Sequence, residues 1–197
     1  MRIKDKIDKG LYDQLSAQEV ELAIHKSWIE DVSVFIDQDC VDKDVIITVI
    51  PFLDDEHLDI LVNEEEDSEI LMAILQQGRA KDQYVLAGHD DVHVRATVAQ
   101  VTQDEELLDE LWIDYTNIVK KSVLGRGRVK DLKVALQSDN PQLRDYAQFK
   151  VREMIIDGQL VNRKNGQSTM IVNKDNQELK DILVESPLTG RQMTILS

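Results

Sequence analysis

Several stretches of this chain carry residue types that could do chemistry. His89-Asp90-Asp91-Val92-His93 resembles the H-E-x-x-H zinc pattern, with Asp where the general base would be Glu. That chemistry needs both histidines on one helix, four apart and facing a metal. Here His89 falls in a turn, so a metal site is not expected. Asp37, Asp39, Asp42 and Asp44 are spaced like a calcium loop. Counted from Asp37, the sixth position is Asp42 rather than Gly and the twelfth is Thr48 rather than Glu, so the pattern fails. Cys40 has no motif around it, and no G-x-S-x-G elbow surrounds any serine. His25 and His57 have no ligand-like neighbour in sequence. The expectation is a non-enzyme with no cofactor and no metal.

Charge is the stronger signal. The formal net charge is −15, with 38 acidic and 23 basic side chains. Residues 1–117 sum to −20 and residues 118–197 to +5. Two acidic clusters stand out. The first is Asp54, Asp55, Glu56, Asp59, Glu64, Glu65, Glu66, Asp67 and Glu69; the second includes Glu105, Glu106, Asp109 and Glu110. Such clusters repel nucleic acid and anionic membranes and attract basic proteins. They are candidate partner-binding residues, though a solvated outer face that keeps the chain soluble is the somewhat favoured reading. Against them stands one basic run, Lys120, Lys121, Arg126, Arg128, Lys130 and Lys133, with Asp131 as its lone acid. Around Gly125-Arg126-Gly127-Arg128 it could hold an anion, though it lacks the ending of a P-loop. The favoured reading pairs these cations with acids of a neighbouring repeat.

The elements that position these residues repeat. Residues 78–95 (GRAKDQYVLAGHDDVHVR) align without gaps on residues 127–144 (GRVKDLKVALQSDNPQLR), with seven identities at an offset of 49. The identical pairs are Gly78/Gly127, Arg79/Arg128, Lys81/Lys130, Asp82/Asp131, Val85/Val134, Asp90/Asp139 and Arg95/Arg144. A fixed period of this size marks stacked helical units.

The rest of the chain carries helix signals. Ser16 with Glu19, Ser27 with Glu30 and Thr102 with Glu105 have capping-box spacing. They predict a short-turned helical hairpin over 16–38 and one helix from 103 to about 124, its apolar face Leu107, Leu108, Leu111, Ile113 and Ile118. The β-branched run Val45–Ile50 reads as a buried helix ended by Pro51. Asp67 can cap a helix that ends before Gly78. After Gly158 the texture changes, and Lys164-Asn165-Gly166 signals a hairpin. No stretch predicts a secretion signal or a membrane span, and the lone cysteine fits a cytoplasmic setting.

Asp90, Val94, Arg95 and Val98, matched by Asp139, Leu143, Arg144 and Ala147, give the repeat a recognisable form. It resembles the HEAT-like family of helical repeats over about residues 68–158. The resemblance implies an α-solenoid that holds another macromolecule on one face. Within it the turn Asp is expected to cap the second helix and the Arg to bridge to an Asp. The whole is read as all-α: a short α-solenoid of HEAT-like hairpins over 1–158, with clear repeats at 68–109 and 117–158. A small β-containing cap comes after it, over 159–197. The expected function is a non-catalytic scaffold or adaptor for a basic protein partner. An acidic mimic of nucleic acid that inhibits a nucleic-acid-binding enzyme is the alternative, favoured by a continuous electronegative groove. A nucleic-acid enzyme or binder using residues 120–133 is a third, favoured by a basic groove with a buried acid beside Trp112.

Overall fold

A computed structural model describes residues 1–36, 42–156, 161–164 and 167–170. Among these the chain is helical apart from one short hairpin. The helices are α1 (Ile3–Ile7), α2 (Ala17–His25), α3 (Lys43–Val49), α4 (Asp55–Glu64), α5 (Ser68–Leu75), α6 (Ala80–Leu86), α7 (Val92–Val101), α8 (Glu105–Trp112), α9 (Asn117–Gly125), α10 (Val129–Leu136) and α11 (Pro141–Ile156). Strand β1 (Val161–Lys164) pairs antiparallel with β2 (Gln167–Met170), in register Val161 to Met170. The rest of the expected cap lies outside the described residues, as do Asp37, Asp39 and Cys40. Among the described residues no helix is long and apolar enough to cross a membrane. The chain divides into two compact units, Met1–Thr102 and Gln103–Ser197.

The first unit opens with its own small core. Ile7, Leu15, Val20, Ala23, Ile29, Phe35, Val45 and Val49 are buried together. Tyr12 meets Phe35 edge to face at 5.5 Å. The Ser16–Glu19 capping box forms as its spacing demands: the Glu19 amide donates to Ser16 Oγ, and the Ser16 amide to Glu19 Oε2. In α3 the β-branched run is helical because Asp42 caps it and Val45 and Val49, one turn apart, both face the core. Pro51 then sits in a single 3-10 turn, Ile50–Phe52.

The second expected cap, Ser27 with Glu30, does not form. Ser27 instead ends α2 in the left-handed region at φ 52°. The Trp28 amide donates to the Ala23 carbonyl and the Ser27 amide to the Ile24 carbonyl, which is a Schellman closure. A residue held there cannot adopt the extended conformation of an N-cap. Beyond it the chain forms one 3-10 turn, Ser33–Phe35, with Asp31 accepting from the Ser33 amide and hydroxyl.

The two units each contain a four-helix module, α4–α7 and α8–α11. Their N-caps correspond in order: Asp54, Asp67, Arg79 and Asp91 in the first; Asp104, Thr116, Arg128 and Asn140 in the second. Most packing pairs correspond too. In the first module α5 packs on α4, α6 and α7, and α6 on α7 and also on α4; in the second α9 packs on α8, α10 and α11, and α10 on α11. The structural repeat is therefore wider than the stretch of sequence identity.

Other details differ from expectation. Asp104, not Thr102, caps α8, accepting from the Glu106 and Leu107 amides. Thr102 is buried at the end of α7. The expected single helix breaks at residues 113–116. There Asp114 Oδ1 accepts from the Thr116 amide and hydroxyl, and Thr116 caps α9. Ile113 and Ile118, expected on the apolar face, are exposed. Asp91, not Asp90, caps α7, accepting from the His93 amide at 2.7 Å. Arg95 donates to the backbone carbonyls of His89 and Asp90, and Arg144 to that of Ser138. These arginines brace the inter-helix turn through its carbonyls.

The left-handed Ser27 yields a direct prediction. Left-handed backbone costs a non-glycine residue about 1–2 kcal/mol, and nothing in the Schellman closure uses the serine side chain. Ser27→Gly should raise stability in urea unfolding by about 1 kcal/mol, and Ser27→Val should lower it.

Candidate functional site

The residues singled out by charge meet at one structure that both modules build. Gly78 and Gly127 end α5 and α9 at φ of +76° and +75°, a turn that a side chain strains against. The next residue, Arg79 or Arg128, starts the following helix. Three residues on, Asp82 or Asp131 sits in its first turn, where the helix dipole favours a carboxylate.

In the second module Arg128 Nε donates to Asp131 Oδ2. Its Nη1 reaches Glu105 Oε2 at 2.8 Å, and its Nη2 reaches Asp109 Oδ1 at 2.9 Å. Lys130 adds a contact to Asp109 at 2.7 Å. In the first module Arg79 pairs with Asp59, with Asp82 at 3.2 Å and with Asp55 at 3.4 Å. Lys81 reaches Asp59 at 2.7 Å. Each clamp ties the first helix of its module to the third. The acids of α4 and α8 repeat at i and i+4, so both face the arginine.

The clamp is a buried one. The side chains of Arg128 and Asp131 are 9% and 5% exposed, and those of Arg79 and Asp82 are 14% and 3%. The arginine fork suits this place because its donors serve several carboxylates at once. Burial pushes the Asp82 and Asp131 carboxyls up, against the pull of the arginine beside each. The outer acids shift the other way. The Lys81 ammonium holds Asp59 below its ordinary value, and the Lys130 ammonium does the same for Asp109.

This geometry reassigns much of the charge. Arg128 and Lys130 of the basic run are held in the clamp, while Lys120, Lys121 and Lys133 form no ion pair among the described residues, and Arg126 lies half-buried beyond Gly125. Asp55, Asp59, Glu105 and Asp109 are held by the same arginines and lysines. Asp54 caps α4 and also meets His57 Nδ1 at 2.6 Å. Asp67 caps α5, and Lys43 reaches Asp67 and Glu69 at 3.5 and 2.6 Å. Glu65 accepts from the Glu66 and Asp67 amides. That leaves Glu56, Glu64 and Glu66 in the first unit, and Glu106 and Glu110 in the second, exposed and without an ion pair among the described residues.

The histidine pair is not brought together on one helix. His89 lies in the turn, where its Nδ1 accepts from the Asp91 amide, and His93 lies on the first turn of α7. Among the described residues no group of three His, Cys, Asp or Glu side chains is placed to hold a metal ion. The clamp itself was half visible in sequence. Arg79, Lys81 and Asp82 recur at the same offset as their counterparts, but Asp55/Glu105 and Asp59/Asp109 recur at 50 and so fell outside the gapless alignment. No protein-family model matches the chain, and no curated protein or solved structure matches it.

Removing the clamp arginine leaves a buried carboxylate unpaired, which costs about 3–5 kcal/mol. Arg79→Ala and Arg128→Ala should therefore lose that much in urea unfolding, while Lys81→Ala and Lys130→Ala, at half-exposed pairs, should lose less than about 1 kcal/mol. The clamp also sets a pH dependence. Asp59 and Asp109 contribute stability that is present above the ordinary aspartate value of 3.8 and is lost as pH falls through their depressed folded values. Asp82 and Asp131 act in the opposite sense. The folded chain keeps their protons to higher pH than the unfolded chain, so their contribution falls as pH rises past 3.8. Carboxyl carbon shifts measured by NMR should show Asp131 titrating above 3.8 and Asp109 below it.

Proposed function

We propose that this is a HEAT-like helical-repeat scaffold that binds a basic protein partner without catalysis. The observation that carries the reading is the set of exposed glutamates left over once the clamps are built. Glu56, Glu64, Glu66, Glu106 and Glu110 are neither caps nor clamp members. Glu56 and Glu106 stand at equivalent places, two residues past the N-caps of α4 and α8. A carboxylate with no folding task still acts at a distance. It raises the on-rate of a cationic partner and repels nucleic acid and anionic lipid. Short, rigidly braced helices suit this role, because the charges are presented with little ordering cost on binding. The reading narrows the acidic clusters to their unpaired members.

The test uses charge reversals that spare the fold. A partner isolated by affinity purification from the native host should have a positive surface. Its association, measured by stopped-flow fluorescence, should slow severalfold from low to physiological salt. Glu64→Lys/Glu66→Lys or Glu106→Lys/Glu110→Lys should slow it at low salt with unfolding midpoints unchanged. An acidic partner, or a rate that neither reversal nor salt moves, contradicts the reading.

A further inference from the structure

The two modules can be compared with each other, and one corner differs. In the first module the corner between α4 and α5 runs from Glu64, the last residue of α4, through Glu65-Glu66-Asp67. In the second the turn between α8 and α9 is Ile113-Asp114-Tyr115-Thr116. Both turns are made by the same two devices. Glu65 accepts from the amides of Glu66 and Asp67, and Asp67 caps α5. Asp114 accepts from the amide and hydroxyl of Thr116, and Thr116 caps α9. The residues at the flanking positions differ in kind. They are Glu64 and Glu66 in one module, and Ile113 and Tyr115 in the other.

Ile113 is 79% exposed and Tyr115 is 83% exposed, and Ile118, on the first turn of α9, is also exposed. The corner continues into charge. Glu106, Glu110 and Ile113 recur at i, i+4 and i+7, so they share the face of α8 opposite the buried Leu107, Leu108 and Leu111. At 1.5 Å rise per residue the row spans about 10 Å. An apolar anchor bordered by unpaired carboxylates has the make-up of an interface centre with a charged rim.

Resting on the binding function proposed above, we infer that the α8–α9 corner is where the partner docks. Its occupant is a cationic segment of a protein that carries an apolar side chain beside its lysines or arginines. Charge complementarity selects that occupant. Glu106 and Glu110 have no ion pair among the described residues, and a lipid surface or nucleic acid would bring phosphates against them.

The probe is a short fluorescein-labelled amphipathic helix of lysine and leucine, with a control in which serine replaces leucine. Both are titrated into the full chain and read by anisotropy. Ile113→Glu/Tyr115→Glu copies the flanks of the other corner and adds two negative charges. Coulomb attraction alone would make it bind the lysine–leucine peptide more tightly. The inference expects binding weaker by about tenfold or more, from loss of the apolar contact. The lysine–serine control should not weaken on this variant. Ile113→Ser/Tyr115→Ser serves if the glutamate variant fails to fold. Glu106→Lys/Glu110→Lys should weaken both peptides. Unchanged or tighter binding of the lysine–leucine peptide to the corner variant overturns this inference, and loss through the charge reversal alone leaves the broader acidic reading standing. No binding of either peptide to the unaltered chain overturns both. A dimer in sedimentation equilibrium that the corner variant dissociates makes a second copy the occupant, and overturns the inference as well.

Discussion

The buried arginine–aspartate pair is the constraint around which each module is arranged. An aspartate as enclosed as Asp82 or Asp131 could not stay ionised alone, since desolvating a lone carboxylate costs several kcal/mol. The arginine beside it supplies the counter-charge, and its remaining donors then need acceptors of their own. Asp55 and Asp59, or Glu105 and Asp109, supply further counter-charge from the first helix of the module, while Arg79 Nε and Nη1 and Arg128 Nη2 stay without a hydrogen-bond partner among the described residues. The position of α4 relative to α6, and of α8 relative to α10, is set by electrostatics as well as by leucine packing.

This accounting changes what the charge of the chain means. A total of −15 suggests a broadly acidic surface. Structure divides it into carboxylates that hold the fold, as clamp members, caps and turn acceptors, and a minority that face solvent unpaired. The proposed binding face draws on that minority alone. The basic run divides in the same way, with Arg128 buried in the clamp and Lys130 paired at its exposed edge. The apolar corner at Ile113 and Tyr115 departs from its counterpart in the first module, where Glu64 and Glu66 stand.

Much of this was legible in the residues and some was not. The repeat, the Ser16 box, the helical reading of Val45–Ile50, the Asp67 cap and, for Arg128 and Lys130 of the basic run, the pairing with acids could be read from spacing. The failures have local physical causes. Ser27 looked like an N-cap because its partner Glu30 was correctly spaced, but the end of α2 had already claimed its amide. Thr102 lost to Asp104 because it closes α7. Ile113 and Ile118 continued an apolar period straight through a break that Asp114 and Thr116 impose by side-chain hydrogen bonds. The outer half of the clamp was hidden by a one-residue shift in spacing, which a helix turn absorbs and a gapless alignment does not.

A double-mutant cycle on Arg128 and Asp131 tests the clamp most directly. The account predicts that Arg128→Met is strongly destabilising and that Arg128→Met/Asp131→Leu recovers most of the loss, since the second change removes the stranded buried charge. The coupling should be at least about 2 kcal/mol in urea unfolding. Simple additivity of the two single losses would contradict it, and would mean that the modules are held by leucine packing with the ion pairs as bystanders.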